Sequence, residues 1–162
     1  MLLLKSRWSE AITELELALR IGGETVSFRA TDAFLLSSLA EAHLGAGDLA
    51  GARSCAEQAL DRATRKTPLW AIPAHLALGR VILAESGRAG REQIEVALAS
   101  CEALIERTQA LFYEPHVHEL RAQLARVLGD EALWTHEMNE ALKLHTRMGA
   151  KGHAQRVTSM LS

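Results

Sequence analysis

Two histidines separated by a single residue, His116 and His118, form the pattern in this sequence that most suggests a metal site. Residues two apart on a helix point about 200° away from each other, so these two side chains cannot share one ion. His136 and Glu140 are four residues apart and could present two ligands on one face, but the sequence indicates no third ligand. We therefore predict no metal site and interpret these side chains as part of a solvated helix face.

Four glutamates stand in two pairs at helical spacing, Glu102 with Glu106 and Glu137 with Glu140. Paired carboxylates can act as a general acid and a general base where a cleft shifts one of their pKa values. The sequence around these pairs predicts no apolar cleft, and carboxylates on an amphipathic helix are typically exposed. We therefore predict exposed charge here, no catalytic residue and no enzyme activity.

The glycines, cysteines and one further histidine also have structural interpretations. The glycines of residues 22–23 and 45–47 lack the Lys-Ser/Thr sequence of a phosphate-binding loop and stand where helices should end. Cys55 and Cys101 have no metal-type neighbour and no nearby base, so we interpret them as buried, reduced thiols. His43 is interpreted as a packed histidine at the inner edge of a helix pair. The sequence thus predicts no cofactor.

The composition indicates a soluble helical protein. The chain has 162 residues, of which 48% are hydrophobic and only 4% aromatic, so Leu and Ala must build most of the core. The net charge is −2 and the basic residues form no block, which argues against nucleic-acid binding by this chain. No apolar run is long enough to cross a membrane and no signal peptide is evident, so we expect a cytoplasmic location.

Helical periodicity runs through nearly the whole chain, and an Ala-Leu pair recurs at intervals of about 40 residues. The pairs are Ala18-Leu19, Ala59-Leu60, Ala97-Leu98 and Ala141-Leu142. A helix pair that repeats on this scale is typical of an α-solenoid, in which each unit buries its apolar face only by stacking on its neighbours. The spacing therefore predicts an all-α fold.

Turn signals divide this single predicted domain, residues 1–162, into helix pairs. We predict pairs over residues 30–66, 69–111 and 115–149, joined by short connections that make consecutive helices antiparallel. Residues 1–22 are predicted to be the second helix of a truncated repeat, and residues 150–162 to be a capping helix.

The central part of the chain resembles a tetratricopeptide repeat (TPR). The resemblance depends on a large-then-small pair, a Gly-Asp turn and a series of small residues, namely Leu39-Ala40, Gly47-Asp48, Ala52, Ala56 and Ala59-Leu60. Similar but weaker series surround Leu78-Gly79 and Gly129-Asp130. The resemblance implies a right-handed TPR-like superhelix of about seven or eight helices. The chain departs from the TPR pattern where His43 replaces the favoured Tyr and Trp134 the favoured Ala, and its units exceed the usual length.

The C-terminal third resembles the tail of large bacterial multidomain signalling proteins. The similarity is carried by residues 111–115, 120–130 and 148–157. In those proteins an ATPase module, often with an adenylate cyclase or transcription-regulator domain, precedes TPR-like repeats. The resemblance implies that this chain is a non-catalytic regulatory or interaction module from such a protein.

The TPR scheme also predicts a concave groove lined by the first helix of each pair. The residues expected there are Phe34, Ser37, Glu41, Leu76, Arg80, His116, Glu119, Gln123 and Arg126. We expect an apolar end near Phe34 and Leu76 and a charged end near Glu119 and Arg126. Such a groove could bind a peptide, another protein or a neighbouring domain of the same polypeptide. The alternative is a sensor that binds a small ligand in the groove and controls an attached ATPase; a purely solvated inner face also remains open.

The first helix offers a second candidate surface. Residues 8–19, which begin with Trp8 and end with Leu19, have lost the partner helix that a complete repeat would supply. We therefore expect an exposed apolar stripe that contacts a preceding domain or forms a homodimer.

Overall fold

The computed structural model describes residues 2–23, 31–63 and 68–162 of the chain. Within these ranges the protein is all-helical and contains no strand. The α-helices are α1 (Leu2–Gly23), α2 (Asp32–Ala46), α3 (Leu49–Arg62), α4 (Ala71–Ser86), α5 (Arg91–Thr108), α6 (Glu114–Leu128), α7 (Glu131–Arg147) and α8 (Lys151–Leu161). Short 3-10 turns at Pro68–Trp70, Gly87–Gly90 and Leu111–Tyr113 precede α4, α5 and α6.

The same Gly-Asp turn joins α2 to α3 and α6 to α7. Gly47 and Gly129 adopt left-handed φ values of 85° and 83°, which glycine reaches without a steric penalty. The next residue, Asp48 or Asp130, caps the following helix by accepting a hydrogen bond of 2.9 Å from a backbone N–H three residues ahead. Glycine and aspartate thus end one helix and begin the next within two residues.

Each helix packs against the next one along the chain, and alternate helices also meet. Besides the consecutive contacts, α2 touches α4 and α4 touches α6. The α4–α6 contact is close because Gly79 has no side chain: a Cβ there would lie 2.7 Å from Leu120 Cδ2. The helices α2, α4 and α6 therefore adjoin one another in series.

The largest apolar cluster lies among α4, α5 and α6. Its fully buried members include Ile72, Ile94 and Leu120. Cys101 belongs to the same cluster, and burial raises the pKa of its thiol to about 12. Cys55 is also buried, so the interpretation of both cysteines as buried residues is confirmed.

The observed helix ends differ locally from the sequence expectations. The first helix, predicted over residues 1–22, spans Leu2–Gly23, whereas the helix pair predicted to reach residue 111 ends at Thr108. There Gln109 takes a left-handed φ of 56° and its N–H bonds to Ile105, which stops α5 before the next 3-10 turn. Residues 24–29, between the predicted first helix and the first predicted helix pair, lie outside the described residues.

The apolar side of α1 is largely covered. Ile12, Leu15 and Leu19 pack against the core cluster around α2, so the expected exposed stripe is covered at these positions. The apolar side chains that α1 does expose include Leu17 and Ile21.

Candidate functional site

Residues from both ends of the chain meet around a central depression with a volume of about 820 Å³. Its walls come from α1, α2, α4, α6 and α8, with one residue from the start of α3. The lining residues are Trp8, Glu41, Leu44, Gly45, Leu49, Arg80, Leu83, Ala84, His116, Glu119, Gln123, His153 and Arg156. We call this feature the central depression.

One end of the central depression is apolar. Trp8 of α1 lies directly over Gly45 of α2: a Cβ on Gly45 would lie only 2.5 Å from Trp8 Cε2. Leu44 and Leu49 extend this apolar surface, and Leu83 adds to it from α4. The absence of a side chain at position 45 therefore allows the indole ring to form part of the wall.

An ion pair crosses the middle of the central depression. Arg80 on α4 donates a hydrogen bond to Glu41 on α2. Both side chains are partly exposed, so the pair links two helices yet leaves polar atoms accessible to a ligand or partner. Because the two charges are opposite and paired, the middle of the central depression carries no net charge of either sign.

The other end contains a buried carboxylate. Glu119 on α6 is 4% exposed; His145 Nε2 donates to its Oε1 at 2.7 Å. Arg156 Nη2 on α8 donates to both carboxylate oxygens, at 2.8 and 2.7 Å. Burial opposes ionisation of Glu119, but the hydrogen bonds from His145 and Arg156 outweigh it and hold the pKa of the carboxyl below its ordinary value.

Three imidazole rings lie close to one another at this end of the central depression. The ring of His116 is 5.4 Å from that of His145 and 5.4 Å from that of His153, centroid to centroid. The rings of His145 and His153 are stacked at 4.8 Å. Burial, opposed by the attraction of Glu119, lowers the pKa of His116 to about 4, so this imidazole is neutral at pH 7. We call these three histidines and Glu119 the histidine–glutamate cluster.

A second polar group lies apart from the central depression. Glu137 on α7 is buried, and His118 Nδ1 donates to its Oε2 at 2.6 Å. Arg121 approaches the same oxygen to 3.7 Å and also pairs with Glu102. The expectation that Glu137 is an exposed charge is therefore wrong: its hydrogen bond from the half-buried His118, supported by Arg121, allows the carboxylate to be buried.

The structure brings most of the expected groove residues together. Those that line the central depression are Glu41, Arg80, His116, Glu119 and Gln123. Ser37 and Leu76 line a smaller adjoining recess of about 140 Å³, which also includes Tyr113.

Two expected groove residues lie elsewhere. The ring of Phe34 packs against Trp70 at 5.4 Å, and neither residue lines the central depression. Arg126 places its guanidinium 4.7 Å over the ring of Trp134, between α6 and α7. The apolar end therefore lies near Trp8 rather than near Phe34, and the charge that pairs with Glu119 comes from Arg156 rather than from Arg126.

Sequence reasoning missed the residues that α1, α7 and α8 contribute. Trp8, His145, His153 and Arg156 were not assigned to the groove. The His116–Glu119 spacing puts these two residues on one face of a helix, which was a usable signal. The approach of His145 and Arg156 depends on the packing of α7 and α8, which no local pattern specifies.

Comparison of the chain with family models, with curated proteins and with solved structures finds no match. None of the described helices combines the length and the apolar character that a membrane crossing requires.

Proposed function

We propose that this chain is a TPR-like superhelical module, non-catalytic, that binds a segment of another protein or of a neighbouring domain in the central depression. The observation that carries the proposal is the convergence of α1, α2, α4, α6 and α8 on one open depression. The series of contacts from α2 to α4 to α6 and the two identical Gly-Asp turns support a repeating arrangement of this kind.

The proposed occupant is an amphipathic helical segment. Its apolar side chains would contact Trp8 and Leu49, where burial of apolar surface favours binding. Its polar side chains would exchange hydrogen bonds with Glu41 and Arg80, which present an acceptor and a donor side by side. An amphipathic segment with its apolar side chains towards Trp8 and its polar side chains towards Glu41 and Arg80 matches this distribution.

The larger protein to which this module would belong is proposed from the resemblance of the C-terminal third to the tails of bacterial multidomain signalling proteins. We propose that the module serves as the regulatory tail of a bacterial ATPase-cyclase or transcription-regulator protein in the cytoplasm. In that arrangement, occupation of the central depression would report the presence of a partner to the attached domains.

Site-specific photo-crosslinking tests the proposal. A photoreactive amino acid at Gln123, inside the central depression, is compared in cells with the same amino acid at Val96, which is 63% exposed on α5. We expect a protein adduct from position 123 and none from position 96. Equal adducts from both positions, or none from position 123, would contradict the proposal.

Charge reversal then tests the captured partner. Arg80→Glu should weaken its binding at least about tenfold, because the introduced carboxylate would repel Glu41 and any acidic group of the partner. Arg126→Glu and Arg53→Glu are matched controls: Arg126 lies over Trp134, and Arg53 pairs with Glu85 outside the central depression. Both control variants should bind the partner normally.

A second candidate function is the sensing of a small ligand. A volume of about 820 Å³ with apolar and polar ends falls within the range of small-molecule sites. A ligand sensor would show a thermal shift with a small molecule and no protein adduct from position 123.

The homodimer expected from the first helix remains a prediction. Because Ile12, Leu15 and Leu19 are packed against α2, such a dimer would use apolar side chains of α1 that stay exposed, among them Trp8, Leu17 and Ile21. Light scattering over a range of concentrations, repeated with Ile21→Lys, distinguishes a dimer through this face from a monomer.

A further inference from the structure

We propose that the histidine–glutamate cluster is a binding site for a divalent transition-metal ion of the zinc type. His116, Glu119 and His145 each offer one ligand atom, and these atoms all lie within 4.8 Å of one another. Two imidazole nitrogens and a carboxylate oxygen form a ligand set that Zn²⁺ prefers. This inference is independent of what binds in the rest of the central depression.

The distances suit a metal ion after small side-chain movements. Zinc–ligand bonds of about 2.0–2.1 Å place the ligand atoms of a tetrahedral site about 3.3 Å apart. His116 Nδ1 is 3.9 Å from Glu119 Oε1, and His145 Nε2 is 2.7 Å from the same oxygen, so the two distances bracket this spacing. An ion would take the place of the proton through which His145 Nε2 now bonds to Glu119.

His153 supplies a fourth ligand. Its ring stacks on His145 and lies 5.4 Å from His116, and its residue is exposed, so rotation of the side chain can bring a nitrogen to the ion. The ligands would then join α6, α7 and α8. The open central depression beside His116 and His153 provides the entry path that a metal site needs.

Each ligand atom must present a free electron pair to the ion. Coordination by His145 Nε2 requires the proton on that nitrogen to move to Nδ1 or to leave to solvent, while Glu119 is already a carboxylate.

Arg156 is the competitor for this site. Its guanidinium donates to both oxygens of Glu119 and so occupies the electron pairs that an ion would need. Its side chain is 39% exposed, so it can swing into solvent when an ion enters. Metal binding would therefore exchange an ion pair between α6 and α8 for coordination that joins the same helices and α7.

Calorimetric titration of the full 162-residue chain with Zn²⁺ alone, without an affinity tag and after treatment with chelator, tests the proposal. We expect one ion per chain with a Kd tighter than about 10 µM. His116→Gln and His153→Gln should each weaken binding at least about tenfold. Neither side chain is fully buried, so these variants should keep the circular dichroism of the parent.

Three further variants complete the test. His136→Gln on the exposed side of α7 and His118→Gln in the second polar group are the controls, and both should leave the Kd unchanged. Arg156→Gln should tighten binding at least about threefold, because it removes the competing donor. With Co²⁺ as the probe, the visible absorption bands of a four-coordinate site should form in the parent chain and be lost in His153→Gln.

The opposite results would overturn the proposal. One is a Kd for Zn²⁺ weaker than about 10 µM in the parent chain. Another is a loss of Zn²⁺ affinity of less than tenfold in both His116→Gln and His153→Gln. The third is a loss of Zn²⁺ affinity in the two control variants as large as that in the His116 and His153 variants. Unchanged or weaker binding by Arg156→Gln would contradict the proposed displacement.

Discussion

Arg156 and Glu119, which are 37 residues apart in the chain, form a two-pronged ion pair in which one guanidinium nitrogen donates to both carboxylate oxygens. Glu119 is buried and also accepts from His145, so this carboxylate ties together α6, α7 and α8. The polar end of the central depression therefore also holds the C-terminal helix α8 against α6 and α7.

Removal of the Arg156 side chain should lower the stability of the protein. Arg156→Ala takes away charged donors from a buried carboxylate, and hydrogen bonds to charged groups contribute about 2 kcal/mol. We expect the free energy of unfolding in urea, measured in the presence of chelator, to fall by about that amount. Lys143→Ala breaks the exposed pair with Glu140 and should change stability by less than about 0.5 kcal/mol. Equal effects of the two variants would contradict the structural role of Arg156.

Two glycines inside helices should respond in opposite ways to the same substitution. Gly79→Ala gains helix propensity but brings a methyl group within 2.7 Å of Leu120, which is fully buried, so overpacking should lower stability by about 1 kcal/mol. Gly152→Ala, in the first turn of α8, meets no atom within 4 Å and should raise stability by up to about 0.5 kcal/mol. Thermal unfolding of both variants checks this difference in sign. Stabilisation by Gly79→Ala would show that α4 and α6 are not in close contact.

The two Gly-Asp turns should both depend on their aspartate caps. Asp48 and Asp130 each accept one N–H at 2.9 Å, so Asp130→Ala should cost about 1 kcal/mol of unfolding free energy. Asp48→Ala should be at least as destabilising, because Asp48 Oδ2 also lies 2.8 Å from His43 Nδ1. Asp48→Asn and Asp130→Asn keep an acceptor oxygen and should recover most of this loss. If one alanine variant were neutral in a denaturant titration, that turn would not have the described cap.

Stability should depend on His75 in mildly acidic solution. Burial lowers the pKa of this imidazole below its ordinary value of 6.5, so the unfolded chain binds a proton more readily than the folded protein does. The contribution is fully present above pH 6.5 and is lost as the pH falls from there towards the folded-state pKa. We expect His75→Gln to reduce the loss of unfolding free energy between about pH 7.5 and about pH 5.0. His136→Gln, at an exposed position, should leave that pH dependence unchanged.

Most helices could be predicted from the sequence because a few neighbouring residues determine where each helix ends. Gly47-Asp48 and Gly129-Asp130 contain within two residues the left-handed conformation and the cap that form each turn. The helix α5 ends before the predicted residue 111 because Gln109 takes a left-handed φ, and glutamine, unlike glycine, gives no sequence signal for that conformation.

The sequence predicted only those site residues that lie at corresponding positions of successive repeats. Glu41 and Arg80 lie at corresponding positions of α2 and α4, so a repeat scheme places both in one groove. His145 and Arg156 reach Glu119 through the packing angles of α7 and α8. Those angles result from side chains that are distant in sequence, such as Trp134 and Val157 in one apolar cluster.

Hydrogen–deuterium exchange of the purified chain, with and without the partner captured at position 123, tests the central claim most directly. The proposed occupation of the central depression predicts slower exchange in the stretches of α2, α4 and α6 that contain Glu41, Arg80 and Gln123, with α5 unaffected. Slower exchange confined to α5, around Val96, would contradict the claim that the central depression is the partner-binding surface.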